Sequence, residues 1–190
     1  MDRSLLLNQG LQRATEAPSA AIRIWSMDGD VGGVHCYDIP PSEVHKISAG
    51  PWTIYWDGEL ESHLRSLRDQ ALPNETGGIL VGVVDHKAHT IYLVDAYGAP
   101  ADSVATPQDF IRGREGVAEL RLHCMTRTRS MVDYVGDWHS HPHYTSAEPS
   151  QIDLALVGDL AQSLAADGVP AVMVIVGDEG SLTITLCESH

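Results

Sequence analysis

The strongest constraint on the fold of this chain is the segment His139-Ser-His141, which is followed by Ser150-Gln-Ile-Asp153. In a β-strand alternate side chains share a face, so both imidazoles would lie on one side, with their Cα atoms roughly 6.6 Å apart. The pattern Ser150-x-x-Asp153 is typical of a helix start, with the serine as N-cap and the aspartate in the first turn. For these side chains to act together, a strand must end close to the start of the next helix.

Two imidazoles and one carboxylate form a donor set that suits zinc, whose bonds to nitrogen and oxygen are about 2.0–2.2 Å long. Three protein ligands leave the fourth tetrahedral position to water, which is typical of a catalytic site rather than a structural one. We therefore predict a metal site of His139, His141 and Asp153. Two alternative ligands stay open: His143, which continues the alternation, and Glu148, which lies nearby in the sequence.

A second polar element, Glu75-Thr-Gly77-Gly78, stands at the start of an apolar run. A carboxylate that is not a ligand can accept a proton from an activated water and deliver it to a leaving amine. The two glycines would allow a bound peptide or a neighbouring segment to approach the backbone closely. Taken alone, Glu75 is typical of a solvated turn residue, but together with the two other elements it is predicted to be a general acid/base.

In this order, the three elements resemble the JAMM metalloprotease motif of the JAB/MPN family. The resemblance covers roughly residues 51–190. It implies an α/β, cytidine-deaminase-like fold in which a curved mixed sheet is flanked by helices, and one catalytic Zn²⁺. It also implies zinc binding by His139, His141 and Asp153, general acid/base catalysis by Glu75, and a hydrogen bond from Ser150 to the tetrahedral oxyanion.

The resemblance further implies a zinc-dependent isopeptidase or peptidase that cleaves after the C-terminus of a ubiquitin-like protein and deconjugates it from its targets. The implied partners are the ubiquitin-like protein or its conjugate, and an E1/E2-like conjugation system. The segment from Tyr134 to Pro142 is more similar to bacterial members than to eukaryotic ones, and some bacterial systems of this kind are linked to antiphage defence. Two alternatives remain: a processing peptidase for a ubiquitin-like or sulfur-carrier precursor, and a non-catalytic MPN scaffold.

The charge balance limits the classes of partner. The 190 residues include 26 acidic and 12 basic ones, for a formal net charge of −14. This charge disfavours binding to nucleic acid, including the role of a DNA-associated member of the wider superfamily, because such binding relies on neutralising phosphates. No stretch approaches the ~20 apolar residues of a membrane span, so we predict no membrane partner. Three cysteines without a Cys-x-x-Cys pair favour a reducing, cytoplasmic location.

Residues 1–50 are predicted to be an N-terminal extension or linker, and residues 51–190 the JAB/MPN metalloprotease domain. Hydrophobic periodicity predicts the elements of the second segment: a strand over 52–56, a helix capped by Asp57, paired strands over 79–84 and 90–94, a helix over 107–127, a strand through His139, a helix from Ser150 that stops at Gly168, and a hairpin of 171–176 and 181–186. The apolar stripe predicted for the helix after Ser150 is Ile152, Leu156, Leu160 and Leu164.

Overall fold

The computed structural model describes residues 22–27, 34–39 and 43–189. The chain divides into two units, residues 1–43 and residues 44–190. In the first unit, β1 (Ile22–Met27) and β2 (Val34–Ile39) form an antiparallel hairpin.

The second unit combines strands and helices. Its strands are β3 (Val44–Ala49), β4 (Trp52–Asp57), β5 (Gly77–Asp85), β6 (Thr90–Tyr97), β7 (Val104–Ala105), β8 (Phe110–Ile111), β9 (Asp133–Ser140), β10 (Ala171–Val176) and β11 (Leu182–Cys187), and its α-helices are α1 (Gly58–Ala71), α2 (Val117–Thr128) and α3 (Gln151–Leu164). None of the helices in the described part of the chain has the length and apolar character needed to cross a membrane.

Seven of these strands form one mixed sheet in the order β11-β10-β9-β5-β6-β4-β3. The two ends of the sheet approach each other, and the Trp52 indole Nε1 donates to a carboxylate oxygen of Glu188 at 2.9 Å. The sheet is therefore curved and nearly closed, with three helices around it, which confirms the predicted fold class. The sheet includes β3 (Val44–Ala49), which belongs to the predicted N-terminal extension. The division of the chain into an extension and a metalloprotease domain stays a prediction.

Both faces of the central strand β5 and of β10 are covered, which explains the continuous apolar runs in these two strands. Along β5, Leu80 packs into the core that contains Leu60 and Leu64 of α1. Its neighbours Ile79 and Val81 point the other way, into a cluster against α2. Because side chains alternate along a strand, a strand covered on both faces must be apolar at every position.

Helix α1 forms as the sequence predicts. The Asp57 carboxylate accepts a hydrogen bond from the backbone N–H of Leu60 at 2.8 Å and so caps the helix. Leu60 and Leu64 are buried one turn apart. One turn further along the same stripe, Arg68 is also buried.

The predicted helix over 107–127 is wrong in its first half, because α2 begins only at Val117. Gly116 has a φ of 75°, a left-handed conformation that a helix cannot contain. The Asp102 carboxylate accepts the backbone N–H groups of Arg114 and Glu115 at 2.9 Å and holds this segment as a loop. The residues before it form the short hairpin of β7 and β8 instead.

The predicted apolar stripe of α3 is wrong at Ile152 and Leu156, whereas Leu160 is half-buried against the core and Leu164 is buried. The buried positions are Asp153, Val157, Ala161 and Leu164. Ile152 is 70 % exposed and Leu156 51 % exposed. The contacts between Ser150 and Asp153 fix where the helix begins and turn the aspartate inward. The inward face is therefore the one that contains Asp153.

Two glycines give opposite predictions for replacement by alanine. Gly136 of β9 lies opposite Val172 of β10, and a Cβ there would stand 1.8 Å from the Val172 carbonyl oxygen. We expect Gly136→Ala to lower the free energy of unfolding by about 1–3 kcal/mol. A Cβ at Gly158 of α3 would meet nothing within 4 Å, so Gly158→Ala should raise the free energy of unfolding by about 0.5–1 kcal/mol. Urea unfolding measures both changes, and shifts of the same sign would contradict this packing.

Candidate metal centre

The structure brings the three predicted metal ligands together. His139 lies in β9, His141 follows directly after that strand, and Asp153 lies in the first turn of α3. His139 Nε2 is 3.3 Å from His141 Nε2 and 3.2 Å from Asp153 Oδ1. His141 Nε2 is 3.9 Å from Asp153 Oδ2. The potential ligand atoms of the three residues all lie within 4.8 Å of one another.

These distances match the donor spacing that a metal ion requires. A tetrahedral ion with bonds of about 2.0–2.1 Å holds its ligand atoms about 3.3 Å apart. The two distances from His139 Nε2 agree with this spacing, and the third is somewhat longer. Imidazole nitrogens and a carboxylate oxygen therefore converge in a geometry that fits a metal ion.

Pairing within the sheet fixes the backbone at the two histidines. His139 lies between two neighbours, opposite Gly77 of β5 and Ile175 of β10. The backbone N–H of His141 donates to the Val176 carbonyl at 2.9 Å, so the pairing continues past the end of β9. A strand held on both sides gives the two imidazoles little freedom to move apart.

A backbone carbonyl determines the tautomer of His141. Its Nδ1 is hydrogen-bonded to the Ser146 carbonyl oxygen. Because a carbonyl can only accept, Nδ1 must carry the proton, and the lone pair of Nε2 then faces His139 and Asp153. Metal-binding histidines are commonly oriented by such a bond from the second ring nitrogen.

The surroundings of His139 favour its neutral form. Burial is the main cause that lowers its pKa to about 4, and the neighbouring His141 adds to this effect, whereas the charge of Asp153 opposes it. The imidazole is therefore neutral at neutral pH. Metal binding requires this form, since a protonated ring has no lone pair to donate.

Ser150 and Asp153 form a capping box at the start of α3. The Ser150 backbone N–H donates to Asp153 Oδ2 at 2.6 Å, and the Asp153 N–H donates to Ser150 Oγ at 3.2 Å. The carboxylate thereby keeps Oδ1 directed at His139. Because the Ser150 hydroxyl uses only a lone pair in the cap, its proton can still be donated to another group.

Glu75 lies within electrostatic range of two of the predicted ligands, His141 and Asp153. Burial is the main cause of its raised pKa, the charges of Asp153 and Asp109 raise it further, and His141 lowers it. The Glu75 backbone N–H donates to the Thr106 carbonyl at 2.9 Å. The short hairpin of β7 and β8 is thus anchored beside this carboxylate.

The glycines after Glu75 are explained by contacts within the protein. A Cβ at Gly77 would stand 2.4 Å from the Trp138 carbonyl oxygen and 2.6 Å from the Phe110 ring. A Cβ at Gly78 would stand 1.9 Å from the Tyr97 carbonyl oxygen. The segments that approach these glycines are the neighbouring strands and Phe110, so a neighbouring segment accounts for them without a bound peptide.

Sequence reasoning missed two residues that hold the site. Ser140, between the two histidines, is fully buried, and its Oγ accepts the backbone N–H of Thr76 at 3.1 Å. Arg68 is 4 % exposed, and its Nε donates to the His141 carbonyl at 2.9 Å. The sequence spacing could have predicted that Arg68 is buried, because it falls four residues after Leu64 on the buried stripe of α1.

The alternative ligand His143 has a different neighbour. Its Nδ1 is 3.1 Å from Asp178 Oδ1, and its side chain is 55 % exposed. The converging group of ligand atoms found in the described part of the chain contains His139, His141 and Asp153, and neither His143 nor Glu148.

Comparison with known proteins agrees with the fold. A family model described as prokaryotic homologs of the JAB domain matches residues 58–187. The chain belongs to this family. The resemblance to the JAB/MPN family recognised from the three sequence elements is thereby confirmed.

Two curated relatives come from bacteria. The first is the CD-NTase/cGAS isopeptidase of Enterobacter hormaechei subsp. hoffmannii, which is 37 % identical over 116 residues, 61 % of this chain and 62 % of the relative. The second is the probable metalloprotease y4qB of Sinorhizobium fredii, which is 30 % identical over 104 residues, 54 % of this chain and 62 % of the relative. The chain thus spans about 62 % of the length of both relatives.

A solved structure is also similar, with a lower sequence identity than the two relatives. The solution structure of protein DSY2949 from Desulfitobacterium hafniense has a TM-score of 0.46 and 20 % sequence identity, and covers 71 % of this chain and 90 % of that one. The family assignment rests on the domain match, not on this similarity.

Proposed function

We propose that this chain is a zinc-dependent isopeptidase that cleaves after the C-terminus of a ubiquitin-like protein and releases it from a conjugated lysine. The observation that supports this most strongly is the convergence of His139, His141 and Asp153 at the end of β9, with Glu75 beside them. Membership of the JAB family and a relative named as an isopeptidase support the same activity. The proposed partners are the conjugate and an E1/E2-like system that makes it.

A zinc ion held by His139, His141 and Asp153 would supply a Lewis acid and a water of lowered pKa. The Glu75 carboxylate accepts a proton from the attacking water and then delivers it to the departing lysine amine. A general base works best when its pKa is near the operating pH, so burial that raises the pKa of Glu75 suits this role.

Ser150 is proposed to stabilise the oxyanion that forms when water attacks the scissile carbonyl. The bond that Oγ accepts from the Asp153 N–H holds the hydroxyl oxygen in place and leaves its proton available for donation. Donors held in place before the reaction stabilise developing charge better than solvent, because they need no reorganisation. The capping box therefore has both a structural and a chemical consequence.

Ser150→Ala should affect both turnover and stability. We expect kcat to fall about 10²–10³-fold, the cost of one oxyanion donor. The free energy of unfolding should fall by about 1 kcal/mol, because the helix loses its N-cap side chain. Ser150→Thr keeps a hydroxyl for both roles and is the matched control. If Ser150→Ala lost only stability in urea unfolding and cleaved at the parental rate, Ser150 would be a helix cap alone.

The proposed function is tested by zinc content and cleavage together. Elemental analysis gives the zinc per chain, and mass spectrometry follows two substrates: a ubiquitin-like protein linked to a lysine side chain, and a linear precursor of the same protein. One zinc per chain with cleavage of the lysine-linked substrate supports the isopeptidase. Cleavage of the precursor alone would identify a processing peptidase. A chain that binds no zinc under metal-replete conditions would be a scaffold.

A further inference from the structure

We propose that Arg68 is a positioning residue for the candidate metal centre, which fixes both the backbone and the ring orientation of His141. This inference rests on the proposed function, because it concerns the same site. Arg68 lies in the last turn of α1, away from the elements that provide the predicted ligands. It acts through its contacts with the loop that follows β9.

Arg68 is buried although its side chain is a guanidinium with several hydrogen-bond donors. Only 4 % of the residue is exposed. A buried guanidinium is costly unless its donors are satisfied, so its hydrogen bonds are the reason it can occupy this position. Leucine or methionine would continue the apolar stripe of α1 at no such cost, which indicates that the donors have a use here.

The guanidinium connects three acceptors. Its Nε donates to the backbone carbonyl of His141 at 2.9 Å. Nη2 donates to Asp178 Oδ1 at 3.1 Å, and Nη1 lies 3.4 Å from Asp69 Oδ1. The contact with His141 fixes the main chain of a predicted ligand directly. The contact with Asp178 reaches the turn between β10 and β11.

Asp178 in turn holds the loop between His141 and Ser150. Its Oδ2 accepts the backbone N–H of Tyr144 at 2.9 Å. Tyr144 has a φ of 63°, a conformation that is unfavourable for a residue with a side chain and needs support from its surroundings. The pair formed by Arg68 and Asp178 supplies part of that support.

The same loop orients the ring of His141. Ser146, two residues after Tyr144, provides the carbonyl that accepts the hydrogen bond from His141 Nδ1. Arg68 therefore acts on His141 twice, once through the ligand's own carbonyl and once through Asp178 and the loop. Displacing either contact would move the Nε2 lone pair away from His139 and Asp153.

The backbone of Arg68 also belongs to the helix end that leads to Glu75. The Arg68 carbonyl accepts the backbone N–H of Leu72 at 3.2 Å and closes the C-terminus of α1. Only Pro73 and Asn74 separate Leu72 from Glu75. One residue thus contacts both His141 and the helix end from which the proposed acid/base follows.

We expect that lysine at position 68 cannot make all the hydrogen bonds of the arginine. The guanidinium is a planar fork whose separate N–H groups reach two acceptors at once, whereas an ammonium group is a single compact charge. Arg68→Lys keeps the charge but can retain only part of the connection between His141 and Asp178. The difference between lysine and arginine therefore tests positioning rather than charge.

The experiment compares zinc affinity in Arg68→Met, Arg68→Lys and Asp178→Asn with that of the wild type. Zinc dissociation constants are measured by competition with a chromophoric chelator, and ligand geometry by the visible spectrum of the Co²⁺-loaded protein. We expect Arg68→Met to bind zinc about 10–100-fold more weakly, as is typical when a partner of a metal ligand is lost. Arg68→Lys and Asp178→Asn should lie between this variant and the wild type, with altered cobalt spectra.

Arg65→Met is the matched control. Arg65 lies on the same helix and donates to the Gly180 carbonyl at 3.0 Å, so it contacts the same turn as Arg68. Its loss should leave zinc affinity within about twofold of the wild type, the scatter of such a measurement, since surface substitutions change little. Thermal unfolding of the metal-free proteins separates a loss of general stability from a change at the site.

The outcomes separate this inference from the proposed function. A wild-type chain that binds no zinc overturns both. If the wild type binds zinc and the folded Arg68→Lys and Asp178→Asn variants bind it equally tightly, with unchanged cobalt spectra, Arg68 is only a structural residue. A lower unfolding temperature of the metal-free variants with unchanged zinc affinity leads to the same conclusion. Should Arg68→Met not fold, the two conservative variants decide the question.

Discussion

Glu75→Gln is expected to retain one zinc ion per chain and to lose turnover by about 10²–10⁴-fold, the usual contribution of a general acid/base. Glutamine has the shape of glutamate but cannot accept a proton from water or deliver one to the departing amine. Glu75 lies outside the group of three converging ligand residues, so zinc binding should persist. Elemental analysis and kcat measured on a ubiquitin-like conjugate check both halves of this result.

Asp109→Asn provides the control for Glu75→Gln. The charge of Asp109 also acts on Glu75 and raises its pKa, but its other contacts lie in the loop with Thr106. Removing this carboxylate changes the electrostatics near the site without removing the proposed proton acceptor. We expect turnover close to the parental rate. If Glu75→Gln cleaved as fast as Asp109→Asn, Glu75 would have no part in the mechanism.

The candidate site could be predicted because each of its parts has a local sequence pattern. His139 and His141 share a face wherever the segment is extended, since the period of a strand is two. Ser150 and Asp153 are spaced as a capping box, which fixes where the helix begins. That Glu75 lies beside them depends on the sheet, and the family resemblance rather than periodicity supplied this part of the prediction.

The errors in the predicted stripe of α3 and in the segment before α2 came from features that hydrophobic periodicity does not reveal. Apolar residues spaced one turn apart predicted that Ile152 and Leu156 face the core, but the cap rotates α3 so that Asp153 and Val157 face inward. A polar residue is thus buried at the candidate metal centre, against the preference of the pattern. The hairpin of β7 and β8 was missed because two-residue strands are too short to show any period.

The sequence analysis missed Arg68 and Asp178, which contact the candidate metal centre and its loop, for a related reason. Arg68 and Asp178 are 110 positions apart, and nothing local to either one indicates that they meet. Their pairing depends on α1 crossing the sheet near the turn between β10 and β11. Predicted ligands can be found from patterns within a segment, whereas the residues that hold them require the tertiary structure.

His141→Ala is expected to abolish stoichiometric zinc binding. Two ligands, His139 and Asp153, would remain, and a stable zinc site needs at least three protein donors. The expected result of elemental analysis after dialysis is well below one zinc per chain, and one zinc per chain would contradict the assignment.

His143→Ala is the control that gives the His141→Ala result its meaning. His143 is the alternative ligand in the alternating segment, but in the structure its ring contacts Asp178. The variant should therefore keep one zinc per chain. If His143→Ala lost zinc while His141→Ala retained it, the ligand set would include His143 and the loop after β9 would adopt a different conformation when metal binds. Loss of zinc in His141→Ala alone would support His141, and not His143, as the second histidine ligand.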